Sequence, residues 1–185
     1  MERKDIFDIA KIGAILCAIT AISAGILAFI NDLTAPVIAA NNEKKRDAAM
    51  MRVLPDATGF EKLDFEGDEL VTEIYSGGDA GMVVLCEPKG YGGAISMVVG
   101  IDAEGKVSGI DITGQSETPG LGANCVNDDF KGQFTGKNGE LKVAKNASKA
   151  DEIDAISSAT ITSKAVTKGV NAALRAAAEH KGGAN

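Results

Sequence analysis

The chain has no tryptophan, one histidine and three cysteines, and each scarcity closes off a class of chemistry. Cys17, Cys86 and Cys125 cannot build a disulfide framework, although Cys86 and Cys125 could pair with each other. No Cys-x-x-Cys pair occurs and His180 stands alone, so zinc and iron–sulfur sites of the usual kinds are excluded and no metal is expected. Cys86 closes the apolar run that starts at Met82 and reads as a core residue. Positive charge is also in short supply, with 19 Lys and Arg against 26 Asp and Glu and a net charge of −7. Up to residue 31 the charges cancel (Glu2, Asp5 and Asp8 against Arg3, Lys4 and Lys11), so the acidity belongs to the remainder. An acidic domain without a basic stripe repels phosphate backbones, and nucleic acid is not expected as a partner.

What the chain does have is a long uncharged stretch. From Ile12 to Ile30, "IGAILCAITAISAGILAFI", no charged residue interrupts the apolar run, and it places Cys17 inside it. At about 1.5 Å of rise per residue this run approaches the ~30 Å hydrocarbon core of a bilayer, which predicts a spanning helix. A cleaved signal peptide is the alternative, but its apolar part usually runs to only about 7–15 residues. Arg3, Lys4 and Lys11 flank the N-terminal end, whereas no base follows the run until Lys44. The positive-inside rule then leans towards a cytoplasmic N-terminus, with the remaining chain outside the cytoplasm. The run has no ionisable group at its centre, and a single helix of this kind cannot form an ion pathway by itself.

Beyond the anchor, "LTAPVIAANNEKKRDAAMMRVLP" reads as a helical stalk up to Pro55, with Val37, Ile38, Met50 and Leu54 as its apolar positions. Strand signals follow at 70–76, 81–86, 94–102 and 106–113, the last two joined through "AEGK" as a hairpin in which Gly105 takes positive φ. Glycine-rich loops, "PKGYGG" and "ETPGLG", precede and follow that hairpin, the second leading into a short helix around "ANCVNDDF". A polar hairpin "TGKNGE", a strand at 141–144 and a terminal helix from about Ile161 to Glu179 complete the order, with "KGGAN" as a frayed tail. Val166, Val170, Leu174 and Ala177 make the apolar stripe of the last helix. Strands first and helices appended indicate an α+β fold. The expected organisation is an anchor over 1–31, a stalk over 32–55 and a mixed α+β domain over 56–182.

Two stretches carry chemistry. In "DAISSATITSKAV", the hydroxyls of Ser157, Ser158, Thr160, Thr162 and Ser163 crowd one strand-to-helix junction. A helix start presents free N–H groups and a positive dipole end, an anion site to which hydroxyls add donors. An ordinary cap by Thr160 or Thr162 is the competing reading. In "ETPGLG", Gly120 and Gly122 allow close approach to the backbone and Pro119 stiffens the loop, with a simple turn as the competing reading. Glu117 or Thr118 can brace the loop, and Tyr91 can pack beneath it. Lys145, just past a strand, can neutralise an anion or simply be solvated.

Asp154-x-x-Ser157-Ser158-Ala159-Thr160 resembles the flavinylation signature Asp-x-x-(Ser/Thr)-Gly-Ala-Thr of bacterial FMN-binding domains, with serine where glycine is usual. The "ETPGLG" loop and "GYGGAISMVVGIDAEGKVSGIDI", in the same order, resemble the G subunit of the Rnf ferredoxin:NAD oxidoreductase complex; the C subunit of the sodium-pumping NADH:quinone reductase is similar. Gln115 stands where that family often has histidine. The resemblance spans anchor, stalk and domain. It implies an FMN-binding domain with FMN joined covalently to Thr160 through a phosphoester. It further implies a flavin site drawn from Asp154, Ser157, Ser158, Ala159, Thr162, Ser163, Glu117, Thr118, Gly120, Leu121, Gly122, Tyr91 and Lys145.

The function implied is electron relay by a redox subunit of a multisubunit ion-translocating oxidoreductase, with no catalytic residue or separate active site on this chain. Its implied partners are the other Rnf subunits and a flavin transferase. Its implied location is the cell (inner) membrane, single-pass, with the flavin domain extracytoplasmic. The alternatives are the C subunit of the quinone reductase, or a non-redox anchored binding module that holds no flavin.

Overall fold

The computed structural model describes residues 3–65 and 67–183, with the side chains of 3–10 and 181–183 left aside. Ala184 and Asn185, and the side chains of Arg3, Lys4 and the tail expected to fray, therefore lie outside the described residues. The chain divides into two compact units, Met1–Lys44 and Lys45–Asn185.

The anchor and stalk expected from sequence form one uninterrupted helix, α1 (Arg3–Val53), which carries Pro36 in its interior. It is long and apolar enough to cross a membrane by length and composition, with a window of mean hydropathy 2.3, none of it buried. Ile12, Leu16, Ile19, Ile26 and Phe29 all face outward.

The second unit is built on an antiparallel sheet in the order β1 (Glu61–Leu63), β2 (Val71–Ser76), β3 (Gly81–Cys86), β4 (Ser96–Asp102) and β5 (Val107–Gly114). Strands β2 to β5 occupy the four stretches expected. β1 is the addition, too short to show a period of its own. In β4 every residue from Met97 to Ile101 is buried, because both faces of the sheet are covered. Alternation divides them: Met97, Val99 and Ile101 join Ile74, Val84 and Cys86 in one core, and Val98 joins Tyr75 and Val83 in another. The first core is closed by helix α3 (Thr160–Gly183) through Val166, Val170, Leu174 and Ala177, the stripe expected from its spacing, with Ala173 beside them. The second is closed by Ala49, Met50 and Val53 from the last turns of α1. Each buried Val or Ile contributes about 1.5–3 kcal/mol. Gly100 permits this second contact, since a Cβ there would collide with the Val53 carbonyl, which also accepts a 2.5 Å hydrogen bond from Ser108.

The β4–β5 hairpin turns at Gly105 with φ 83°, as expected. The "TGKNGE" segment does not make a hairpin. Its start hangs on β5 through Val107 N–H to the Lys137 carbonyl and Gly136 N–H to the Val107 carbonyl. The strand after it, β6 (Lys142–Ala144), pairs in parallel with β7 (Glu152–Asp154) instead. Buried Asn171 on α3 fixes this small sheet, accepting from the Leu141 N–H at 3.0 Å and donating to its carbonyl at 2.9 Å. The helix expected after "ETPGLG" is a 3-10 turn, Gly122–Val126, followed by α2 (Asp128–Lys131). Cys86 and Cys125 are buried and free.

One ion cluster ties the end of α1 to this unit. Asp111 on β5 accepts from Arg52 Nε at 3.0 Å and from Lys131 Nζ at 3.2 Å. Burial by itself would raise the Asp111 carboxyl, but these two cations outweigh it and hold the carboxyl below its ordinary value. A depressed folded value contributes stability that is fully present above the ordinary carboxylate value and is lost as pH falls from there through the lowered folded value. Asp111→Asn is therefore expected to destabilise by about 1–2 kcal/mol near neutrality. Urea unfolding from pH 7 down to pH 3 checks this: the gap between wild type and variant should narrow towards the acid end.

Candidate functional site

The strand-to-helix junction and the two glycine loops meet at one cleft of about 510 Å³. Its lining comprises Tyr91 from the first loop, Glu117, Thr118, Leu121 and Gly122 from the second, and Ser158, Ala159, Thr160, Ile161 and Thr162 from the start of α3. Of the residues expected at the site, Gly120, Asp154, Ser157, Ser163 and Lys145 do not line this cleft.

Burial sorts the hydroxyls into two groups. Thr160, the first residue of α3, is exposed, as are Ser157 and Ser158. Thr162 and Ser163 are buried at 1% and 0% exposure. Ser163 Oγ accepts from the Ile156 N–H at 2.9 Å and donates to the Ala159 carbonyl at 3.0 Å, so it holds the junction together from within. The Thr162 hydroxyl donates to Glu117. The residue before the helix is Ala159, which has no side-chain acceptor, so neither competing cap forms. The amides of Thr160, Ile161 and Thr162 have no carbonyl four residues back in the helix, and they form the anion-favouring end of α3.

Ser158 sits at φ 61°, the one described non-glycine residue in the left-handed region. Glycine takes that conformation without a steric cost, whereas an L side chain costs on the order of 1 kcal/mol there. Ser158→Gly is expected to raise stability by about 0.5–1 kcal/mol, less the entropy that glycine adds to the unfolded chain. A chemical-denaturation midpoint shifted downward would contradict this account of the turn.

Glu117 lies at the back of the cleft, 5% exposed. Its Oε1 accepts from the Gly92 N–H at 2.8 Å, its Oε2 accepts from Thr162, and its own N–H donates to Gln115 Oε1 at 2.6 Å. The glycines around it are spaces as much as hinges. A Cβ at Gly90 would stand 2.5 Å from Glu117 Oε1, and one at Gly122 would stand 2.5 Å from Oε2 and 2.6 Å from Thr162 Oγ1. Gly120 has a different need: its surroundings are open, but its φ is 76°. Burial first, and then the charge of Glu117, push the nearby Cys125 thiol up to about 11.

At the mouth the surface is apolar. Tyr91, Leu121 and Ile161 are exposed by 73%, 41% and 57%. An apolar shelf beside an uncapped helix start suits a flat ring joined to a phosphate, and the cleft falls within the ~300–1,000 Å³ of ligand sites. Asp154 closes β7 away from this mouth. Its Oδ1 accepts from the Ala147 N–H at 2.5 Å and its N–H donates to Gln133 Oε1 at 2.7 Å. Lys145 is exposed just beyond β6. Three contributors were not singled out from sequence: Ile161, Gly92 and Gln115 as a bonding partner. An exposed isoleucine on the second residue of a helix was the legible signal for the first. The docking of Gly92 on Glu117 had none, because it joins residues far apart in the chain.

Comparison with known proteins bears on what this cleft holds. Residues 90–175 match the family model for the FMN-binding domain, and residues 1–53 match that for the RnfG N-terminal region. The chain is 39% identical to the G subunit of the proton-translocating ferredoxin:NAD(+) oxidoreductase complex of Clostridium ljungdahlii, over 98% of this chain and 97% of that one. It is also 39% identical to the G subunit of the Na(+)-translocating ferredoxin:NAD(+) oxidoreductase complex of Acetobacterium woodii, over 89% of each. Among solved structures, the C subunit of the Na(+)-translocating NADH-quinone reductase from Parabacteroides distasonis is similar in fold, with a TM-score of 0.54 at 21% identity over 73% of this chain and 89% of that one.

Proposed function

The chain belongs to the G-subunit family of ferredoxin:NAD(+) oxidoreductase (Rnf) complexes, and on that premise we propose that it is a membrane-anchored electron carrier holding FMN covalently on Thr160. The observation that carries the attachment is the division among hydroxyls at the start of α3. Thr160 is exposed at the cleft on an uncapped helix end, whereas Thr162 and Ser163 are buried and engaged. A phosphate joined to Thr160 Oγ would lie against the free amides of the first turn, which offset its charge.

The rest of the cleft suits the ring. Tyr91, Leu121 and Ile161 offer it an apolar bed, and the two glycine loops bring backbone up to it without side chains in the way. Bound FMN supplies the electron chemistry; the protein supplies placement and electrostatics. Residues 1–31 serve as the single membrane anchor, 32–55 as a helical stalk and 56–182 as the FMN-binding domain, which lies outside the cytoplasm. The other Rnf subunits supply and accept the electrons and carry the ion, and a flavin transferase matures this one.

The full chain, produced with a flavin transferase, should give a band that fluoresces under ultraviolet light after denaturing electrophoresis, because only a covalent flavin survives there. A dark band would return the chain to a non-redox binding role. For orientation, a membrane-impermeant thiol reagent applied to intact cells should label Asn138→Cys, an exposed position, but not Arg3→Cys. The reverse pattern would place the flavin domain in the cytoplasm.

A further inference from the structure

We propose that Glu117 is a positioning residue for the flavin, clamping both glycine loops to the first turn of α3 and holding the potential of the bound ring low through its own charge. This rests on the FMN reading above. The clamp is visible in the bonds: one carboxylate oxygen holds Gly92 of the first loop, and the other holds Thr162 of α3. The residue itself belongs to the second loop. Three segments distant in sequence therefore share one side chain at the back of the cleft. With Gly90 and Gly122 each leaving no room for a Cβ against its oxygens, the carboxylate has one place to be.

The charge is the second half. Both oxygens accept from protein donors, the Gly92 N–H and the Thr162 hydroxyl, which fixes the side chain beside the cleft. Among the described residues Glu117 makes no ion pair. An uncompensated negative charge at 5% exposure, lining the cleft, opposes any electron density added there more strongly than a solvated one would. Glu117 thus acts on the ring through placement of the loops and through the field.

Three substitutions in the full chain separate the two roles. In Glu117→Gln the carbamoyl oxygen can accept from Gly92 and the amide can donate to Thr162 Oγ1, so the clamp stays and the charge goes. Peptide hydrogen exchange across 90–93, measured without flavin, should match wild type. The flavin-loaded protein, titrated with dithionite beside a reference dye, should show a reduced-to-oxidised ratio about tenfold higher at a fixed poise. Glu117→Asp keeps the charge but falls one methylene short, so exchange should quicken while the ratio stays within about twofold of wild type. Thr162→Val, which removes one partner and keeps the charge, should loosen the first turn of α3 without raising the ratio. An unchanged ratio in Glu117→Gln overturns the electrostatic role, and unchanged exchange in both Glu117→Asp and Thr162→Val overturns the clamp. A wild-type chain that accepts no flavin would instead overturn the preceding reading, and the exchange measurements would still decide the clamp.

Discussion

Thr160→Val is expected to erase the flavin adduct while leaving the fold in place. Intact mass of the wild-type chain made with its transferase should exceed the polypeptide by one FMN less water, and the variant should show the bare polypeptide. The change removes one hydroxyl and keeps the β-branched shape. Thr160 is exposed and no bond to another protein group depends on its hydroxyl, so the stability cost should stay within about 0.5 kcal/mol. Transfer to the later hydroxyls of the first turn is opposed by geometry: Thr162 is engaged by Glu117, and Ser163 lies between the Ile156 amide and the Ala159 carbonyl. An adduct that persists in the variant, or that maps to either neighbour, would show the attachment to be misassigned.

Gly122→Val should be the most damaging single change in the cleft. Its Cβ would press on Glu117 Oε2 and Thr162 Oγ1 at 2.5 and 2.6 Å, and two further methyl groups leave no rotamer that avoids both. Relief requires breaking the Glu117–Thr162 bond, so about 2–4 kcal/mol of stability should be lost, together with the registry of both glycine loops. Thr160 remains exposed, so flavin can still be joined to it. The ring should then be more accessible to a soluble fluorescence quencher, with a shifted absorption spectrum. Gly120→Val separates conformation from space, because a side chain there meets open surroundings but must adopt φ 76°. Gly132 makes a suitable control, with φ −62° and open space around its Cβ position; Gly139 does not, since its φ is 75°. A folded Gly122→Val protein with unaltered spectrum and quenching would remove this loop from the flavin site.

Much of the architecture was open to local reading, because it depends on local pattern. The apolar run, the alternating stretches that became β2 to β5, the turn at Gly105 and the stripe Val166, Val170, Leu174 and Ala177 all express periods set by the backbone. The hydroxyl-rich junction and the "ETPGLG" loop were equally legible, since each concentrates unusual residues within a few positions. The "TGKNGE" hairpin failed for the opposite reason: β6 takes a partner in parallel from further along the chain, which local turn residues cannot announce.

Composition and order by themselves determined that this chain has a long apolar N-terminal run and an acidic α+β domain, and they brought forward Thr160 and the glycine loops as candidates for its chemistry. Only the tertiary structure decided which hydroxyls face the cleft and which are spent inside it, why Gly120 and Gly122 are needed for different reasons, and that Glu117 joins the three segments. Those distinctions depend on burial and on distances between residues far apart in sequence. A hydroxyl becomes an acceptor site or an internal brace according to which neighbours the fold brings to it.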